Sequence, residues 1–283
     1  MPKLKARTLP VSQISAPQRD RMYAILEKYY EHVSREQFDF DLNAKDSVIL
    51  LLDSGTNQIQ GFSTLKSMRI ARPGSRPVRA IYSGDTVVER EYWGQKVLGV
   101  EFLRYLWLQK LKRPFEPLYW FLISKGYKTY LLMANNFKTH YPRFEMQTPT
   151  SMQTLLNQVA TSYFGAHYSP TDGLIRFQKS MGQLKGGVAD ITQKELEQNA
   201  RIRYFAERNP EWKQGTELAC LAEMTFLLPI EYACKRLIKV TLAPVGRAVS
   251  RQVQVPAQPS AILQSASSLL LKVALLIKAG VGR

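Results

Sequence analysis

The chain of 283 residues is 45% apolar and 11% aromatic, enough to bury a sizeable core as one large domain or two small ones, which excludes a disordered or low-complexity protein. Its 39 Lys and Arg outnumber 23 Asp and Glu by 16, a balance that favours an anionic partner such as a nucleotide cosubstrate, an acidic carrier protein or a membrane surface. Nucleic acid is disfavoured, because no helix-turn-helix, zinc-finger or aromatic RNA-binding motif accompanies the charge.

In chain order, Met1 to Ala16 carries Lys3, Lys5 and Arg7 without a continuous apolar run, so no secretory leader is expected. Pro17 to Val33 has Met22, Ile25, Leu26, Tyr29 and Tyr30 at helical spacing behind Ser15, a cap residue. Ser47 to Leu52 and Ile59 to Leu65 read as strands joined by Asp53-Ser54-Gly55-Thr56-Asn57, which is hairpin chemistry. A Pro/Gly/Arg-rich stretch from Arg69 to Pro77 reads as a loop. Val78 to Glu89 is a third strand, Lys96 to Leu111 a helix, and Leu118 to Ile123 a further strand.

Beyond residue 149 the reading is of an extension packed on the preceding core, with no low-complexity linker before it. Thr154 to Phe164 and Gln193 to Arg208 have helical periodicity, Gly215 to Ala222 reads as a strand, and Pro229 opens a helix over Ile230 to Ile238. The expected organisation is a core at 1–149, an extension at 150–250, and a linker with a short basic amphipathic tail at 251–283. No Asp or Glu follows Glu231. The apolar run within Ser267 to Lys278 is interrupted by Lys272 and is shorter than the roughly 20 residues of a membrane span, so it suits an interfacial helix or, equally, a helix packed on the body of the protein. Cys220 and Cys234 are expected as buried thiols in a reducing cytoplasm. His32, His140 and His167 have no ligand spacing to either cysteine, so no metal is expected.

The chemistry concentrates between Ala80 and Lys112. A strand that ends in a glycine-bearing turn and feeds a helix presents unpaired N–H groups and a positive dipole end, which together cradle a pyrophosphate. Against the pattern Val-x-Pro-x-Tyr-Arg-Gly-x-Gly-x-Gly, Val88, Tyr92 and Gly94 match in register. Arg90, Trp93, Lys96 and Leu98 replace the Pro, the Arg and the later glycines, with Gly99 one place late. That pattern opens the coenzyme A site of the GNAT superfamily of N-acyltransferases, which this segment resembles over about residues 15 to 145.

The resemblance implies an α/β fold with a mixed central sheet and flanking helices, carrying an α-rich C-terminal extension. It implies a thioester donor, acyl-CoA or an acyl carrier protein, and a primary amine acceptor on a small molecule or peptide. Thr86, Val87 and Val88 would hold the pantetheine amides, and Gly94, Gln95, Lys96, Val97, Leu98 and Gly99 the pyrophosphate. Ser124 stands where the family has Asn. Tyr130 falls near the family's Tyr, the acid for the departing thiolate.

For the base, Asp85, Glu89 and His140 are weighed in that order. Asp85 and Glu89 are four apart on a strand, hence expected on one face with a carboxylate raised by desolvation. Trp93, Leu98 and the aromatic residues Tyr105, Trp107, Tyr119 and Trp120 favour a fatty acyl donor. An acetyl donor and a catalytically silent module docking an acidic protein or membrane are the alternatives.

Overall fold

Along Ser47–Asp53 and the strand that follows it, Val48, Leu50 and Phe62 pack to one side while Ile49, Leu51 and Leu65 pack to the other. This is the two-residue period of a strand covered on both faces. The computed structural model describes residues 3–72, 74–177, 183–184 and 190–232. In chain order these form β1 (Leu4–Pro10), α1 (Ala16–Tyr29), β2 (Tyr30–Glu31), α2 (Arg35–Asn43), β3 (Ser47–Asp53), β4 (Ile59–Arg72) and β5 (Ser75–Val88). There follow α3 (Val97–Lys112), β6 (Leu118–Ser124), α4 (Tyr127–Asn136), β7 (His140–Tyr141), α5 (Thr150–Phe164), β8 (Tyr168–Ser169) and β9 (Leu174–Ile175). The last are β10 (Gln183–Leu184), α6 (Gln193–Gln198), α7 (Ala200–Arg208) and β11 (Glu217–Glu223).

The fold is mixed α/β with a central mixed sheet between helices. Strands run in the order β1-β3-β4-β5-β6-β11-β9-β8, with β7 also on β11 and a separate β10-β2 ladder. The β5–β6 ladder is parallel, from Arg79↔Leu118 to Ser83↔Leu122, and the other ladders among the described residues are antiparallel. On one face Phe102 and Leu106 of α3, Met133 and Ala134 of α4, and Ile202 and Phe205 of α7 cover Ile49, Ile81, Trp120 and Cys220. On the other, α1 and α2 cover Val48, Leu50, Phe62 and Val87, and α5 covers Ala80, Tyr82, Phe121 and Leu221.

Several expectations are corrected. The Arg69 to Pro77 stretch is largely strand: β4 runs to Arg72, β5 starts at Ser75, and those two residues pair. Ile70 is buried while Arg69 faces solvent, so a polar composition there reflects one wet face. The first helix stops at Tyr29 rather than Val33, because Tyr30–Glu31 pairs with β10 and His32 takes φ 57°. The span Gln193 to Arg208 divides at Asn199, whose side chain accepts from Arg201 N and Ile202 N and caps α7.

The expected strand near the end is β11, which lies between β6 and β9. Its Leu218 and Leu221 are fully enclosed, each contributing about 1.5–3 kcal/mol, and this anchoring carries the preceding acidic residue, Glu217, into the interior. Cys220 is likewise buried and free; Cys234, most of the Ile230 to Ile238 helix and the 251–283 tail lie outside the described residues. Among the described residues no helix is long and apolar enough to cross a membrane.

Candidate functional site

The site originates in a fault in one ladder. Ser63 pairs with Thr86 and Leu65 with Ser83, so β5 carries an extra residue at Gly84–Asp85 opposite Thr64, a β-bulge that bends the strand. Pairing with β6 ends at Ser83 and Leu122, while β5 continues to Val88 on β4 alone. Among the described residues the β6-facing edge of Gly84 to Val88 thus has no strand beside it. Gly61 is needed opposite: a Cβ there would meet Val87 O at 2.7 Å.

Two cavities open on this edge and meet at Tyr30 and Thr86, which line both. The first, about 260 Å³, is walled by Leu4, Leu51, Thr86, Val87, Val88, Tyr92, Trp93, Gly94, Gln95 and Leu98, with Tyr29 and Tyr30. After a short turn over Arg90–Tyr92, the Tyr92 hydroxyl donates to buried Asp53 Oδ2 at 2.9 Å and pins the turn to the β3–β4 hairpin. Gly94 has φ +83° and open space where a side chain would lie, so only glycine enters this turn without strain. Lys96 then caps α3, where Val100 N donates back to its carbonyl and the preceding N–H groups of the first turn have no intrahelical acceptor.

The expected donor-side residues are therefore distributed unevenly. Thr86, Val87, Val88, Gly94, Gln95 and Leu98 line the cleft. Gln95 Oε1 accepts from Leu4 N at 3.0 Å. The Lys96 side chain is exposed, Val97 packs on the α3-side core, and Gly99 lines a separate apolar recess with Phe102, Trp120 and Phe137. Trp93 stands at the mouth, its Nε1 donating to Val88 O at 2.7 Å. The Arg90 guanidinium and Lys128 ammonium each lie 5.5 Å from its ring centres, giving the mouth a positive rim. Tyr119 and Trp120, counted among the aromatic residues that favour a fatty acyl donor, are buried in opposite cores. Tyr105 and Trp107 pack partly buried on α3.

The structure does not bring Tyr130, Ser124 or His140 to this cleft. Tyr130 is enclosed against Tyr204 and Phe205, and its hydroxyl donates to Pro142 O at 3.2 Å; burial pushes that phenol well up. The Ser124 hydroxyl is enclosed and donates to Gly126 O at 2.9 Å. His140 is buried in β7 with Nδ1 2.8 Å from Phe137 O, and burial lowers its pKa. Pairing with Ala222 makes it a strand residue.

Nor do Asp85 and Glu89 form one carboxylate face, because the bulge interrupts the alternation between them. Glu89 is buried under α1, where Lys28 Nζ at 2.5 Å, Tyr29 Oη at 3.0 Å and Arg21 Nη2 at 3.2 Å converge on its carboxylate. Burial alone would raise it, but these hydrogen bonds and charges hold it below its ordinary value. It is a structural anion.

Asp85 lines the second cavity, a chamber of about 470 Å³ between α2, α5 and the bulge. The expected list omitted most of this chamber: Tyr30, Asp41, Lys45, Tyr82, Lys125, Tyr163 and Glu217 also line it. Burial, only partly offset by Lys125 at 3.4 Å and reinforced by the charge of Asp85, raises the Glu217 carboxyl. Asp41 is raised for the same first reason, with Asp85 again adding to it. The sequence signal for Glu217 is an acidic residue opening a strand whose next five residues, Leu218 to Ala222, are apolar.

No family model matches the chain, and no curated protein matches it. Among solved structures it is similar to a probable N-acyltransferase from Enterococcus faecalis (15% identity, TM-score 0.35, 46% of this chain and 31% of that one). It is also similar to a GNAT family N-acetyltransferase from Escherichia coli in complex with CoA (16%, TM-score 0.34, 49% and 71% of the two chains). A third is a Trypanosoma brucei acetyltransferase (16%, TM-score 0.35, 52% and 100%). The matched part thus spans about a third of the first of these chains.

Proposed function

We propose that this chain is a GNAT-like N-acyltransferase that moves an acyl group from a coenzyme A or carrier-protein thioester to a primary amine. The observation that carries the reading is the unpaired Gly84–Val88 edge of β5 running up to the N-terminus of α3. An extended ligand with amides can add to such an edge as a strand would, while its phosphates sit at the helix end over Gly94. The positive rim of Arg90 and Lys128 around Trp93 suits an anionic donor.

In this reading the thioester carbonyl lies beside Thr86, where cleft and chamber meet. An ammonium acceptor loses a proton to a carboxylate of the chamber, for which the raised Glu217 is the candidate. The amine nitrogen then bonds to the carbonyl carbon, the C–S bond breaks, and the departing sulfur takes up a proton. The products are an amide, a thiol and one proton released to solvent. Backbone N–H groups of the free edge are placed to stabilise the oxyanion.

Trp93 and Leu98 remain on the cleft wall as the apolar contacts of a longer acyl chain, so donor length is read from rates across acetyl to hexadecanoyl thioesters. One observation favours the silent-module alternative: the Trp93 indole already occupies the Val88 carbonyl that a donor amide would use. Calorimetry with CoA thioesters separates the two. Binding is expected, and Gly94→Asp should weaken it at least about tenfold, by a carboxylate at the anion site and by strain at positive φ. Absence of binding, or binding untouched by Gly94→Asp, would overturn the reading.

A further inference from the structure

The chamber beside the bulge is built of two kinds of surface. Its walls include a contiguous aromatic group: Tyr82 and Tyr163 lie 4.7 Å apart between ring centres, Tyr163 and Phe164 4.9 Å, and Phe164 and Phe177 5.9 Å. Its charged groups are Asp41, Asp85 and Glu217 against Lys45, Lys125 and Lys128, with His32 at the α1–α2 junction.

These rings already hold ammonium groups that belong to the protein. Lys45 Nζ lies 5.7 Å from the Tyr82 ring centre and 5.8 Å from that of Tyr163, and it donates to Asp41 O at 3.1 Å. Lys125 Nζ lies 5.6 Å from the Tyr30 ring centre and 3.4 Å from Glu217. Both sites show that the walls accept cations. Asp85 differs from Asp41, which Gln37 hydrogen-bonds, and from Glu217, which pairs with Lys125: among the described residues it has no hydrogen bond and no ion pair. Beneath its neighbour Gly84, the enclosed Thr64 hydroxyl also has no partner, and it lies 2.6 Å from where a Cβ on Gly84 would be.

Resting on the acyl-transfer reading for its chemistry, we infer that this chamber takes a primary monoamine with a flat apolar body, its ammonium group held at Asp85 and its body against the Tyr82–Tyr163–Phe164 wall. One open carboxylate accommodates one cation. The second ammonium of a polyamine would meet the ammonium of Lys45, whose charge acts on Asp41 through space, or that of Lys125, which pairs with Glu217, and like charges so placed repel. Asp85 sits next to Thr86, so an amine held there stands at the joint between chamber and cleft.

The test is calorimetric titration of the full chain, without thioester, by 2-phenylethylamine, n-butylamine and spermidine. The expected order places 2-phenylethylamine tightest. Asp85→Asn should weaken it about 10- to 100-fold, the loss of one charge-assisted bond, with an unchanged melting temperature showing that the variant folds. Tyr163→Leu should weaken 2-phenylethylamine more than n-butylamine, which guards against any loss of fold at position 85. Tighter binding of spermidine, or affinity indifferent to Asp85→Asn, would overturn the inference. Thioester titration of the same preparation keeps the two readings apart. If thioester binds and 2-phenylethylamine does not, the acceptor assignment fails alone. If the amine binds in an Asp85-dependent way and no thioester binds, acyl transfer fails and the amine site stands.

Discussion

Replacing Glu89 by Gln should destabilise the protein without altering the pH dependence of turnover. The carboxylate is enclosed and takes bonds from Lys28, Tyr29 and Arg21. Gln preserves the volume, removes the charge and sets an NH₂ group against these donors. The lysine and arginine side chains are 53% and 34% exposed, so each loses only about 0.5 kcal/mol of screened attraction. The buried mismatch adds about 1–2 kcal/mol. The sum, about 2–3 kcal/mol, corresponds to a fall of about 5–10 °C in Tm for a body of this size.

The pH dependence has a definite sign. The folded carboxyl titrates below its ordinary value of 4.5, so its contribution is present above that value and fades as pH falls through the depressed one. Differential scanning calorimetry should therefore show wild type and variant converging in acid and separated near neutrality. An unchanged Tm at neutral pH, together with loss of the limb of the rate profile that rises with pH, would refute the structural role and return Glu89 to the chemistry.

What could be read without coordinates follows the range of the forces involved. The hairpin, the β5–turn–α3 unit and β6 are legible because period-two and helical apolar patterns are local and each element buries one continuous face. The same patterns leave Leu4–Pro10 unmarked, since an edge strand pairing β3 through its backbone keeps Lys5 and Arg7 exposed. Val88 and Gly94 are accessible through their match to the GNAT pattern, and Thr86 through what that resemblance implies. The bulge was not, because it is defined by the partner residues Ser63 and Leu65 on another strand. Tyr130 is reached through the resemblance and His140 through its residue type, whereas their burial depends on Tyr204 and Phe205 of α7 and on Ala222 of β11, far onward in the chain. Glu217 was hidden for the converse reason: its proximity to Asp85 exists only after β11 pairs with β6.

The remaining expectations concern those distant residues. Tyr130→Phe should leave turnover near wild type and cost about 1 kcal/mol of stability, since it deletes one buried hydrogen bond to Pro142 and no contact with the cleft; a loss of about a hundredfold in rate with intact donor binding would restore it as the acid. Glu217→Gln is the sharper test of the proton path. The acid form of Glu217 is favoured by burial and by the neighbouring charge of Asp85, so wild-type turnover should climb as pH rises through its raised pKa, where the ionised base is formed. The variant should lose that limb and fall about 10²-fold or more, with thioester affinity unchanged. Stability moves the other way: the raised carboxyl favours the fold most below its ordinary value and loses this as pH rises through the folded one, so the permanently neutral Gln should gain relative Tm toward alkaline pH. Retention of the rising limb in Glu217→Gln would remove it from the proton path and leave Asp85 and Asp41 as the chamber carboxylates to test.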